Sequence, residues 1–343
     1  MTTAFLFAPA GEHTLAHHPE GYERVAGLLP FLAHYQALEG VLQFQPQPAS
    51  PAQMTRVHTH AHLQRVRTLA RLGGGRIDPD TYVTPQSYEL GLLAAGGCVA
   101  MTNAILGGRA GNGLAVVRPP GHHASADRAE GFCLFNNVAI AARHAQEVYG
   151  VERILIVDFD VHHGNGTQRV FYEDDCVLFV SLHLYSRFFY PGLGDTQELG
   201  LGSGRGYTLN VPFPAGVGDH GYRQAFELLV RPKAVQFQPQ LILVSVGFDA
   251  HWRDPLAAAG LSLTGYDFIV RYLLQLAADC CGGKIMFVLE GGYYREALHY
   301  GLLNLLNALT GREGCLDPLG PMPAPEQDVT NLLNRLAALH LRK

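Results

Sequence analysis

Five short apolar runs limit what this chain can fold into: "LAVV" (114–117), "RILIV" (153–157), "VLFV" (177–180), "LILVSV" (241–246) and "KIMFVL" (284–289). They are rich in β-branched residues and lack the polar alternation of a strand with one wet face, so each is expected to be buried on both sides. Helix-like stretches separate several of them, including 136–150 and 265–280. Apolar strands alternating with helices imply a parallel sheet covered on both faces. The longest apolar stretch, Leu90 to Leu106, holds three glycines, Thr102 and Asn103, and is read as a buried core helix, not a membrane span. A Pro-dense stretch (316–328) precedes Leu332, Leu333, Leu336 and Leu339 at helical spacing, so 329–341 is expected to be a last amphipathic helix. No repeat or low-complexity linker divides the sequence, and residues 1–343 are expected to form one domain.

Each run leads into a polar segment: "RPPGHHA", "DFDVHHGNG", "SLHLY", "GFDAH" and "EGGYY". In open parallel sheets ligands bind just beyond the carboxyl ends of the strands, so residues far apart in sequence are expected to share one crevice. "DFDVHHGNG" is the densest cluster. Along an extended strand alternate residues share a face, so a strand running on through Val161 would point Asp158, Asp160 and His162 the same way. A carboxylate and a neutral imidazole one residue apart can both reach one ion. A third ligand must come from elsewhere, and Asp249 sits at a suitable strand end. One His and two Asp with an open position suit a catalytic zinc. The same donors also accept iron(II), cobalt or manganese. A lone D-x-D pair could equally cap a turn; the attached "DVHHGNG" favours the metal.

In "VVRPPGHHA", Pro119 and Pro120 fix the backbone before His122 and His123, and Gly121 is expected to permit a sharp turn. Hydrolysis of an amide at a metal needs a base for the attacking water and an acid for the leaving amine, and histidine can serve as both. The pair can divide the work if one faces a carboxylate and stays charged while the other stays neutral. Asp158 and Asn165 are the candidate partners. After the last run, Gly291 and Gly292 make a flexible turn from which the Tyr293 phenol could swing in to stabilise an oxyanion. Phe132, Phe189 and Tyr190 offer aromatic walls for a slim substrate.

The overall balance narrows the class. Charged residues are 16 % of the 343 and apolar ones 48 %, a compact globular composition. A net charge of -5 argues against a general nucleic-acid or anionic-membrane binder, while leaving a cationic substrate open. The 17 histidines raise the expectation of a metal or proton-transfer site. Six cysteines without C-x-x-C spacing or a basic N-terminal leader point to a cytoplasmic protein with no disulfide framework.

RPPGHHA, GFCLFNN, DFDVHHGNGTQ, SLH, PGLGD, SVGFDAH-x-x-DPL and LEGGYY occur in this order, and together they resemble the zinc-dependent histone deacetylase superfamily. "DVHHGNGTQ" is similar to its class II branch, which includes bacterial amidohydrolases and acetylpolyamine amidohydrolases. The matching motifs run from about residue 18 to 295. The resemblance implies a single-domain α/β fold of arginase/deacetylase type, with a central eight-stranded parallel sheet flanked by helices. It implies one zinc per chain on Asp160, His162 and Asp249. His123 would be general base and acid, His122 its electrostatic partner, Asp158 and Asn165 their supports, and Tyr293 the oxyanion donor. It also implies potassium at Asp158, Asp160, His162, Ser181 and Leu182, and a second potassium at Phe171, Asp174, Val177 and Tyr207. Gly131, Phe132, Tyr190 and Leu256 would line the substrate channel, and Arg24 an internal cavity for acetate release. Tyr190 stands where many members have Phe, and Tyr294 where Asn is common. Leu256 replaces the acidic gatekeeper of polyamine-selective relatives, so an acyl-lysine peptide or protein is the expected substrate, with acetylpolyamine the alternative. An inactive acyl-lysine-binding module is the rival from another class. A homo-oligomer is left open.

Overall fold

Ten strands form among the described residues, and eight of them make one wholly parallel sheet. In chain order they are β1 (Thr3–Ala8), β2 (Leu42–Phe44), a small antiparallel pair β3 (Gly75–Arg76) and β4 (Tyr82–Val83), then β5 (Asn112–Val117), β6 (Ile154–Asp158), β7 (Val177–Leu184), β8 (Thr208–Phe213), β9 (Leu241–Val246) and β10 (Ile285–Leu289). The computed structural model describes residues 2–341. The expected domain span of 1–343 thus includes Met1, Arg342 and Lys343, which lie outside the described residues.

The five apolar runs are five of the eight strands, and their lack of alternation has the expected cause. In β6, Leu155 and Val157 enter one core layer while Ile154 and Ile156 enter the other. In β9, Ile242, Val244 and Val246 face the first layer, and Leu241 and Leu243 the second. A strand that must satisfy two dry faces has no position for a polar residue until it leaves the sheet.

Sheet order is β2-β1-β5-β10-β9-β6-β7-β8. This order places the site. β5, β10, β9 and β6 are consecutive neighbours in space although they span residues 112 to 289. Their ends are also level, since Asp158 lies opposite Ser245, and Leu289 opposite Val246. Four polar continuations therefore emerge side by side.

The expected helices form at Asn137–Tyr149, Leu263–Cys281 and Thr330–His340. Helix Ser87–Leu106 is long and apolar enough, by length and composition alone, to cross a membrane. In this fold it packs on β1, β5 and helix Asn137–Tyr149. A side chain at Gly96 would strike the backbone at Gln47, Pro48 and Ala49, so the glycines serve close packing. The six cysteines are unpaired.

Candidate active site

β6 stops at Asp158, and this corrects the expectation of a strand running on through Val161. The Asp160 N–H donates to Asp158 Oδ1 at 3.2 Å, so the chain turns at once. Asp158 therefore does not join the cluster that the other two make with Asp249. Its Oδ2 lies 3.0 Å from His122 Nδ1. Asp160 and His162 instead meet Asp249 from the end of β9. His162 Nδ1 is 3.2 Å from Asp160 Oδ1 and 3.1 Å from Asp249 Oδ2.

Both carboxylates are buried, at 1 % and 0 % exposure, and neither has an Arg or Lys partner among the described residues. Two buried like charges sharing one imidazole nitrogen call for a cation. The remaining oxygens are held by backbone donors, Gly291 N–H on Asp160 Oδ2 at 2.7 Å and Val161 N–H on Asp249 Oδ1 at 3.0 Å. One nitrogen and two oxygen donors fit zinc and equally iron(II).

The paired histidines separate as their partners dictate. Burial disfavours charge on His122, but Asp158 and Asp160 outweigh it and raise its pKa to about 10. His123 Nδ1 lies 2.7 Å from Asn165 Oδ1, a neutral partner, and burial with the neighbouring His122 pushes its pKa well below the usual value. Gly121 has another purpose than the expected turn. A Cβ there would press on Phe135 O and Asn137 N, so the loop needs glycine to lie against that backbone.

The turn that carries Tyr293 is pinned where flexibility was expected. Asp254 Oδ2 accepts from the N–H groups of Tyr293 at 2.7 Å and Tyr294 at 3.1 Å. Arg24 donates to Gly292 O at 2.8 Å, Glu290 O at 2.6 Å and Glu20 Oε1 at 3.1 Å, and its guanidinium sits 4.9 Å from the Tyr293 ring centre. Three of its five N–H donors are thus engaged, two on carbonyls of the turn and one on Glu20, so Arg24 braces the turn. Tyr294 stacks on His251 at the rim, 6.4 Å between centres, and its hydroxyl donates to Glu296.

A cavity of about 80 Å³ ends at these groups, lined by His122, His123, Gly131, Phe132, His162, Tyr190, Leu256, Gly291 and Tyr293. All four expected channel residues are present. Tyr190 meets the His123 ring edge-on at 5.0 Å, and Phe189 stacks flat on His162 at 5.0 Å. Phe132 stands 5.9 Å from Tyr293, edge to face.

Of the expected potassium groups, Asp158 and Ser181 are register partners on β6 and β7. In the second set, Phe171 O accepts from Asp174 N–H and Tyr207 O from Phe179 N–H, leaving each carbonyl a second lone pair.

Four residues were not anticipated as part of the site. Asp80 lines the cavity. Asp254 holds the tyrosine turn. Glu290 Oε2 accepts from the N–H groups of Gly121 at 2.6 Å and His122 at 3.1 Å. Glu130 Oε1 accepts from Asn165 Nδ2 at 2.7 Å. Asp254 and Glu290 sat inside motifs already singled out, "DPL" and "EGGYY", but acceptors of backbone N–H groups have no spacing rule to reveal them.

The family model described as "Histone deacetylase domain" matches residues 18–309. The chain is 39 % identical to the histone deacetylase-like amidohydrolase of Pseudomonas aeruginosa, over 89 % of this chain and 79 % of that protein. It is 38 % identical to the human polyamine deacetylase HDAC10, over 88 % of this chain and 45 % of that one. The crystal structure of the HDA15 HD domain matches with a TM-score of 0.88 at 35 % identity, covering 99 % of this chain and 95 % of that one.

Proposed function

Since the chain belongs to the histone deacetylase family, and with it to the deacetylase hydrolases, we propose that it removes acetyl or another acyl group from lysine side chains in a zinc-dependent reaction. The observation that carries this is the convergence of Asp160, His162 and Asp249 beside a charged and a neutral histidine at the floor of one slim cavity.

Asp160, His162 and Asp249 would hold the zinc, or iron(II) in its place. A bound metal supplies Lewis acidity toward the acyl oxygen and lowers the pKa of water. His123 takes the proton of the attacking water on its free nitrogen and returns it to the departing amine. His122, kept charged by Asp158, sits 4.0 Å from the His123 ring and balances the negative charge that builds up beside it. Burial pushes the Tyr293 phenol well above its usual pKa, so it stays protonated and donates to the oxyanion. Asn165 orients His123. Potassium would be held by Asp158, Asp160, His162, Ser181 and Leu182, and a second one by the carbonyls of Phe171, Asp174, Val177 and Tyr207. Residues 1–343 act as one catalytic domain, and the setting is cytoplasmic.

Leu256 supports acyl-lysine as the substrate, because an alkyl side chain at the mouth offers nothing to a second ammonium. Asp80 at the same mouth favours the second reading, an acetylpolyamine, whose free cation it could attract. Carboxylate release from an acetyl-lysine peptide and from acetylspermidine, at equal concentration, separates the two. Faster peptide turnover supports the first reading. Faster polyamine turnover overturns it, and peptide binding with no metal-dependent turnover would leave only a binding module.

A further inference from the structure

We propose that Glu130 sets the tautomer of His123 by orienting the amide of Asn165. The inference rests on the reading of His123 as the base. An amide presents two ends of nearly the same shape, and its orientation is decided by what each end meets. Asn165 is buried and stands between His123 Nδ1 at 2.7 Å and Glu130 Oε1 at 2.7 Å. A carboxylate only accepts, so the amide nitrogen must face Glu130 and the amide oxygen must face His123. That oxygen in turn requires a proton on Nδ1, which leaves the lone pair on Nε2, the other ring nitrogen. Without the carboxylate, the amide could turn over and hold His123 in the tautomer that has no lone pair to offer there.

Glu130 is placed firmly enough to do this. It opens a turn closed by Cys133 N–H on its carbonyl at 3.0 Å, with Gly131 and Phe132 at φ of 57° and 69°. Arg169 Nη1 holds the same oxygen at 2.7 Å, and Arg128 Nη1 lies 3.4 Å from the other. The side chain is 14 % exposed. A simple surface ion pair would need the arginines alone; the contact with a buried amide is what adds a second task. Glu130 is thus a positioning residue, acting on the base through one intermediary.

The test combines a spectroscopic and a kinetic reading on the metal-loaded enzyme. Long-range proton–nitrogen correlation on histidine-labelled protein, with His123 identified by its loss in His123→Ala, should show Nδ1–H in the parent and a mixture in Glu130→Leu, which removes the acceptor that a glutamine would keep. In the same variant kcat should fall about three- to tenfold while KM stays within about twofold, since binding does not use the base. The double variant Glu130→Leu with Asn165→Asp should recover most of kcat, because a carboxylate accepts from Nδ1 through either oxygen. An unchanged tautomer and kcat in Glu130→Leu, or a double variant as slow as the single, would overturn the proposal. Full activity in His123→Ala would instead bring down the reading beneath it.

Discussion

Tyr293 shows how much one side chain's chemistry can carry and how much its surroundings add. Its hydroxyl has no protein hydrogen bond among the described residues, while its backbone N–H is fixed by Asp254. Tyr293→Phe should therefore keep fold and metal content, and lower kcat by about 3–4 kcal/mol of lost oxyanion stabilisation. Undiminished turnover would remove Tyr293 from the mechanism. At the mouth, Leu256→Glu should raise turnover of acetylspermidine relative to the peptide, and an unchanged ratio would shift attention to Asp80. The candidates for proton transfer and metal binding that the structure brings together were legible in the sequence, because few side chains do such chemistry and strand ends gather them. Asp158 was legible as the partner of His122 but not in its direction, because an Asx turn cannot be told from one more strand residue by spacing alone. Glu130 was hidden for another reason: its partner, Asn165, is 35 positions away, on a helix that starts after β6.

Strands and turns differ in how they declare themselves. β5, β6, β7, β9 and β10 were readable as apolar runs because both of their faces are dry. β2 has three residues, and the edge strand β8 carries Asn210 and Pro212, which an edge tolerates and a pattern search discards. β1, "TAFLFA", lacks the β-branched residues that mark the others, apart from its first. The tyrosine turn was read as loose because it holds two glycines. Only Gly292 has a left-handed φ, at 118°. Gly291 is needed because a Cβ would press on the carboxylates of Asp160 and Asp249. Gly291→Ala should thus cost the metal before it costs the fold. Metal content per chain, set beside circular dichroism, tests this: a variant that is folded and fully loaded would refute it.

At the scale of the whole molecule, the high histidine count turns out to concern stability as much as catalysis. His13, His183, His251 and His340 are each brought down by burial to a pKa of about 4, and His58 to about 3. The unfolded chain takes up these protons near 6.5, so the folded state binds fewer of them. The stabilisation is complete above 6.5 and is lost as pH falls from there toward 4. Melting temperature should decline steeply between pH 7 and about 5, before ordinary carboxylates titrate. Glu20 adds a later loss. Burial disfavours its charge, but Arg118, at 2.5 and 2.9 Å, outweighs this and holds its pKa at about 2, so its contribution fades only below 4.5. A flat melting temperature from pH 7 to 5 would contradict the histidine account.

The sheet order also dictates when the protein can become itself. β9 and β10 are the last strands made, yet they lie between β5 and β6. A chain emerging from the ribosome up to Gln240 already carries His122, His123, Asp160 and His162, but the two halves that bear them have no shared edge to meet on. Competence arrives late and all together, when the wedge closes. Until then the newborn chain exposes two unpaired parallel edges and two of the three candidate metal ligands, and its handling during synthesis is a race to deliver the strands still inside the ribosome.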